Sequence, residues 1–68
     1  MAIIFTSKLK NARKSKGYIQ EDIAELLGIS KTTYSRKENN LIPFTHEELS
    51  SIKEFLKLTD KEFVNIFF

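Results

Sequence analysis

Along the chain, apolar residues return every three or four positions rather than every second one. That is the spacing of helices with one buried stripe. One proline and two glycines punctuate the sequence, which argues for helices joined by short turns. The pattern predicts a first helix over about Ser7 to Ser15, with Leu9 and Ala12 inward and Phe5 just before it. Thr6 or Ser7 is its expected cap, and Gly17 suits a left-handed stop. A second helix is predicted over about Gln20 to Leu27, with Ile23, Ala24, Leu26 and Leu27 on its apolar face and Gly28 ending it. A third is predicted from Lys31 to Asn39, capped by Ser30 and stopped at Asn40. Leu41 to Phe44, which includes Pro43, reads as a loop.

Two capping boxes announce the remaining helices, Thr45-His46-Glu47-Glu48 and Thr59-Asp60-Lys61-Glu62. The fourth helix offers Leu49, Ile52, Phe55 and Leu56 to a core, and the fifth carries Phe63, Val64, Ile66, Phe67 and Phe68. Ile3-Ile4-Phe5 has the makings of a short extended arm. The expected fold is all-α, a compact bundle of five short helices, and the 68 residues make a single domain over 1–68.

Charge adds a direction to this picture. Residues 1–37 hold eight Lys and Arg against three Asp and Glu, a balance of +5. Residues 38–68 hold three against six, a balance of −3, and the two sum to the formal +2. A basic half and an acidic half within one small domain point to a phosphate-facing side and an opposite one, or on charge alone to two solvated surfaces with no partner. No apolar run approaches the ~20 residues of a membrane span, and the apolar start has neither the length nor the basic flank of a signal peptide. The absence of cysteine excludes disulfides and thiolate metal sites and fits a reducing cytoplasm.

Catalytic and cofactor chemistry find few footholds. His46 is the only histidine, so no histidine cluster exists to hold a metal. Neither glycine lies in a phosphate-cradling run. The adjacent Glu47 and Glu48 are explained by the capping box and the helix dipole. The chain is therefore expected to be no enzyme and to need no cofactor or metal.

The segment from Gln20 to Asn39 holds the most specific pattern. Two helices crossing steeply need a small residue where their backbones approach, and Ala24 supplies it. The short turn needs a residue tolerant of positive φ, and Gly28 supplies that. Ile23, Leu27, Ile29 and Tyr34 fall at the offsets that pack the two helices. Two positions break the pattern. Lys37 stands where an apolar residue is expected, its stem able to cover the core edge while its ammonium reaches solvent or phosphate. Ile19 stands where a capping hydroxyl is expected, a loss of about 1 kcal/mol unless another acceptor replaces it.

On these residues the chain resembles the lambda-repressor and Cro-like (XRE-type) helix-turn-helix family, over nearly its whole length. The resemblance implies sequence-specific binding of double-stranded DNA, with the helix over 31–39 lying in the major groove, and a regulator of transcription, most simply a bacterial or phage repressor. By position it implies that Lys31, Thr32, Ser35 and Arg36 read base edges. Their chemistry suits this: Arg36 and Lys31 can donate to guanine, and Thr32 can touch a thymine methyl. Gln20 matches a phosphate contact at the start of the second helix, with Thr33, Lys37 and Asn39 as further phosphate candidates. Arg13 and Glu38 match an ion pair tying the first helix to the end of the third. The family often has basic residues in the next loop, where this chain has Leu41 and Ile42.

The last helix carries more apolar surface than one small core can cover. Phe63, Val64, Phe67 and Phe68 are therefore expected to join two copies into a symmetric dimer, whose DNA site is an inverted repeat. The same fold could also serve as a protein-interaction module, such as an antitoxin or anti-repressor. Basic residues at the reading positions favour DNA.

Overall fold

The computed structural model describes residues 6–68; the arm anticipated over Ile3–Phe5 lies outside them. Five helices follow in order: α1 Thr6–Ser15, α2 Gln20–Leu27, α3 Lys31–Glu38, α4 His46–Phe55 and α5 Asp60–Phe67. Thr6 and Ser7, the expected caps of the first helix, lie inside its first turn. The third helix closes one residue earlier than expected, with Asn39 as its C-cap.

The turns share one device. Gly17, Gly28, Asn40 and Lys57 each take positive φ just beyond a helix end, at 85°, 70°, 65° and 54°. After each, an N–H reaches back five residues: Tyr18 to Arg13, Ile29 to Ala24, Leu41 to Arg36 and Leu58 to Lys53, at 2.8–3.1 Å. This is the Schellman arrangement, in which a left-handed residue lets the chain satisfy the last carbonyls of a helix while reversing direction. Lys57 adopts it without glycine's freedom, at a cost of about 1 kcal/mol. Tyr18, Ile29 and Leu58, which follow the turns, pack on the core. Leu41 is the exception, 74 % exposed.

The starts of α4 and α5 are the two capping boxes. Thr45 and Thr59 each accept from the N–H three residues on, and Glu48 and Glu62 return bonds of 2.9 and 3.0 Å to the threonine N–H groups. At α2 the missing hydroxyl of Ile19 is half compensated. The Asp22 carboxylate accepts the Ile19 N–H at 2.9 Å, while no side-chain acceptor faces the first turn from Ile19.

The core joins Leu9 of α1, Ile23 and Ala24 of α2, Tyr34 of α3, Leu49, Ile52 and Leu56 near α4, and Leu58, Ile66 and Phe67 around α5. Phe44 reaches in from the loop and meets the Phe67 ring edge-on at 5.9 Å between centroids. One expected core residue sits outward: Leu26 is 40 % exposed. Phe55 is half-buried and packs on the core, its ring 4.6 Å from that of Tyr18. Leu58 and Phe44, which follow and precede α4 rather than lying on it, join the core as well.

The C-terminal helix corrects one expectation. Phe67, counted above among the dimer-forming residues, is fully buried in the core and cannot meet a partner. Phe63 is half-buried, stacked on Phe67 at 5.1 Å with the Lys53 ammonium over its ring. Val64 and Phe68 stay outside, 53 % and 63 % exposed. One stripe of the helix thus closes the monomer and the other remains open, because residues three and four apart share a face while their neighbours turn away.

Candidate nucleic-acid interface

The α2–turn–α3 unit is rigid at its corner. Ala24 is buried where the helices approach, Gly28 donates to the Glu25 carbonyl, and Ile29 donates to the Ala24 carbonyl at 3.0 Å. Ser30 then caps α3. Its Oγ accepts the Thr33 N–H at 3.1 Å and donates to the Thr33 hydroxyl at 2.9 Å, satisfying one of the donors that a helix start leaves open.

What holds α3 is unusual for a helix in a small core. Its buried residues are Tyr34, Lys37 and Glu38, one aromatic and two charges. The Glu38 carboxylate is fully buried and takes a two-point contact from Arg13, Nε to Oε2 at 3.1 Å and Nη2 to Oε1 at 3.2 Å. The third Arg13 nitrogen donates to the Tyr18 carbonyl at 2.9 Å. Gln20 Nε2 donates to Glu38 Oε1 at 3.2 Å. Burial pushes the Glu38 pKa up, but the Arg13 and Gln20 hydrogen bonds and the Arg13 charge more than offset it, leaving the carboxyl below the ordinary glutamate range. One carboxylate at the end of α3 therefore gathers α1, α2 and the α1–α2 turn. Burial, and then the Glu38 carboxylate, hold the proton on Tyr34. The tyrosine hydroxyl has no hydrogen-bond partner of good geometry.

Lys37 makes a second anchor one residue earlier. Its Nζ donates to Glu48 Oε1 at 2.7 Å and to the Pro43 carbonyl at 3.3 Å, with the Phe44 ring 5.9 Å away. The ammonium is turned inward, so Lys37 is withdrawn from the expected phosphate contacts. Glu48 is the same residue that caps α4. Burial alone would raise its pKa; the Lys37 hydrogen bond and the Thr45 N–H bring it below the ordinary range.

The outer residues of α3 are arranged differently. Lys31, Thr32 and Arg36 are exposed and Ser35 is partly so. The Arg36 side chain makes no hydrogen bond or ion pair among the described residues, whereas Lys31 has a loose, exposed pairing with Glu21 at 3.6 Å. Gln20 is tied to Glu38 by one amide N–H. The Thr33 hydroxyl belongs to the Ser30 cap. Asn39 donates to the Ser35 carbonyl at 2.8 Å and accepts from Lys10 Nζ at 2.9 Å. The sequence reading missed Glu48 as the partner of Lys37 and Lys10 as the partner of Asn39. A buried lysine needs a carboxylate, and the glutamate of the nearest capping box was a findable candidate. Nothing local marks Lys10, 29 residues away. Among the described residues no His, Cys, Asp and Glu cluster could hold a metal, and no helix is long and apolar enough to cross a membrane.

The Arg13–Glu38 pair makes two linked predictions. Glu38→Met alone strands a buried guanidinium and should cost about 3–5 kcal/mol, while Arg13→Met with Glu38→Met should cost clearly less than the two single changes summed. Urea unfolding of the four proteins measures this, and additive costs would make the charges independent. The depressed glutamate pKa values also set a pH dependence. Folding stability from this source is complete above the ordinary glutamate range and is lost as pH falls through the lowered native values. Thermal melts from pH 6 to 3 should show that loss, and a smaller one in the double methionine variant.

No curated protein and no solved structure matches the chain. The helix-turn-helix family model matches residues 9–63, which takes in the buried Arg13–Glu38 pair, the α2–α3 corner and the start of α5. With this geometry and this match, the chain belongs to the lambda-repressor-like (XRE-type) helix-turn-helix family of DNA-binding transcriptional regulators.

Proposed function

We propose that the chain is one domain that binds a specific double-stranded DNA site with α3 in the major groove and represses transcription by occupying that site. The observation that carries this reading is the division of α3 into two edges. Tyr34, Lys37 and Glu38 fix one edge to three other helices. Lys31, Thr32, Ser35 and Arg36 populate the other, and Arg36 has donors to spare. A rigid helix with a free guanidinium suits two-point recognition of guanine. Lys31 can exchange its weak surface pairing with Glu21 for a base or phosphate at little cost. The second amide N–H of Gln20, the Thr33 hydroxyl and Asn39 serve as phosphate contacts, which set the register of the helix without reading sequence. Repression needs only occupancy.

Selection of bound duplexes from random sequence tests the reading. The intact protein should recover a defined motif. Arg36→Ala should weaken binding by about 1–3 kcal/mol and relax preference at one or two base pairs. An unchanged motif would remove α3 from the reading role.

The open stripe on α5 supports a two-fold dimer. Val64 and Phe68 form an exposed apolar patch of the kind that marks interfaces, on the acidic half of the chain. Such a dimer would set two copies of α3 about 34 Å apart on an inverted repeat. Sedimentation equilibrium at micromolar concentration should show dimers for the intact chain and monomers for Val64→Asp with Phe68→Asp. A monomeric intact chain that protects a single half-site would overturn the dimer and leave DNA binding standing.

A further inference from the structure

We propose that Lys10 and Lys14 form a second phosphate-binding stripe on α1, which grips the DNA backbone just beyond the C-terminal end of α3. The proposal rests on α3 being the helix that enters the groove.

A groove-bound helix needs cations where it leaves the duplex, because affinity comes mainly from neutralised phosphates. Near that end of α3 the chain has none beyond Arg36, which that reading assigns to a base. No Lys or Arg occurs from Glu38 to Ile52, the loop presents exposed Leu41 instead, and Lys37 is committed to Glu48. The positive charge is supplied from another helix. Lys10 Nζ sits on the Asn39 side-chain oxygen at 2.9 Å, at the C-cap of α3. Arg13, one turn along, is locked onto Glu38, so this edge of α1 cannot slide away from α3. Lys14 lies four residues after Lys10 on the same face, exposed, its side chain without a hydrogen bond or ion pair among the described residues.

The cation just past the end of α1 behaves differently. Lys16 faces the acidic side of the domain, where its charge contributes to lowering the Glu62 pKa. Lys10 thus lies beside α3, with Lys14 one turn further along its face, and Lys16 toward α5. Two lysines whose Cβ atoms lie about 5–6 Å apart, one helical turn, can reach neighbouring phosphates of one strand with their flexible side chains. Lys10 would give up its bond to neutral Asn39 for a charged phosphate, a stronger acceptor, and Asn39 would be free to donate to the same backbone.

Fluorescence anisotropy across a salt series tests the stripe, with the duplex recovered by site selection and a shuffled one as probes. Lys10→Gln and Lys14→Gln should each make the slope of log K against log salt shallower by about 0.9. The ratio of affinities for the two duplexes should not change. Lys10→Arg should keep the full slope, and Lys16→Gln should also leave it unaltered. An unchanged slope in the Lys10→Gln, Lys14→Gln double variant would overturn the stripe, as would an equal loss in Lys16→Gln, which would mean diffuse charge. Failure of the intact chain to bind either duplex would overturn the α3 reading itself.

Discussion

The buried contact between Arg13 and Glu38 is the constraint on which the arrangement of this domain depends. Alpha helices of small proteins are ordinarily held by an apolar stripe, and α3 has almost none. Tyr34 is its only buried hydrophobic side chain. Dedicating the rest of its surface to polar side chains leaves few apolar atoms with which to hold it. Two adjacent charges at its last turn take over that role, Glu38 reaching toward α1 and α2 and Lys37 toward α4. Burying charges is expensive, and such pairs contribute less to stability than to fixing a geometry. The hydrogen bonds to Glu38 from two directions, and the carbonyl that accepts from Arg13, leave few alternative arrangements for the end of the helix.

The same economy explains the surroundings. Lys37 occupies a position where an apolar residue would merely pack; as a lysine it requires an acceptor, and Glu48 answers while capping α4. The two anchors therefore share residues with the turn and cap that define neighbouring helices. Disturbing α3 should reach the start of α4, and the acid sensitivity of both carboxylates should register as one event. The opposite face of the bundle has different business. Lys53 pairs with Asp60 and covers Phe63, and beside them Val64 and Phe68 stay open.

Much of this was legible in the residues. Gly17, Gly28 and Asn40 marked three helix ends because left-handed backbone favours glycine and asparagine, and the threonine–glutamate boxes marked two starts. Lys57 escaped notice, since nothing about a lysine announces positive φ, and with it went the inward turn of Leu58. The stripe on α5 was recognised as excess, but which half would be buried depended on Phe44, a loop residue with no periodicity to assign it. The inward role of Lys37 was half visible. Its stem was expected at the core edge, while the choice between phosphate and an internal carboxylate depended on where α4 begins in space. Lys10 and Asn39 meet only because the Arg13–Glu38 contact brings α1 and α3 side by side.

The proposed reading can be tested most directly by following backbone and arginine Nε–H NMR signals of the intact protein as a selected duplex is added. The account predicts large changes confined to Lys31–Arg36, the start of α2 and the Lys10–Lys14 edge, an Arg36 Nε–H signal that moves strongly, and an Arg13 Nε–H signal that stays in place because its carboxylate remains bound. Changes centred on α4 and α5 with α3 silent, or an Arg13 signal lost on binding, would contradict it.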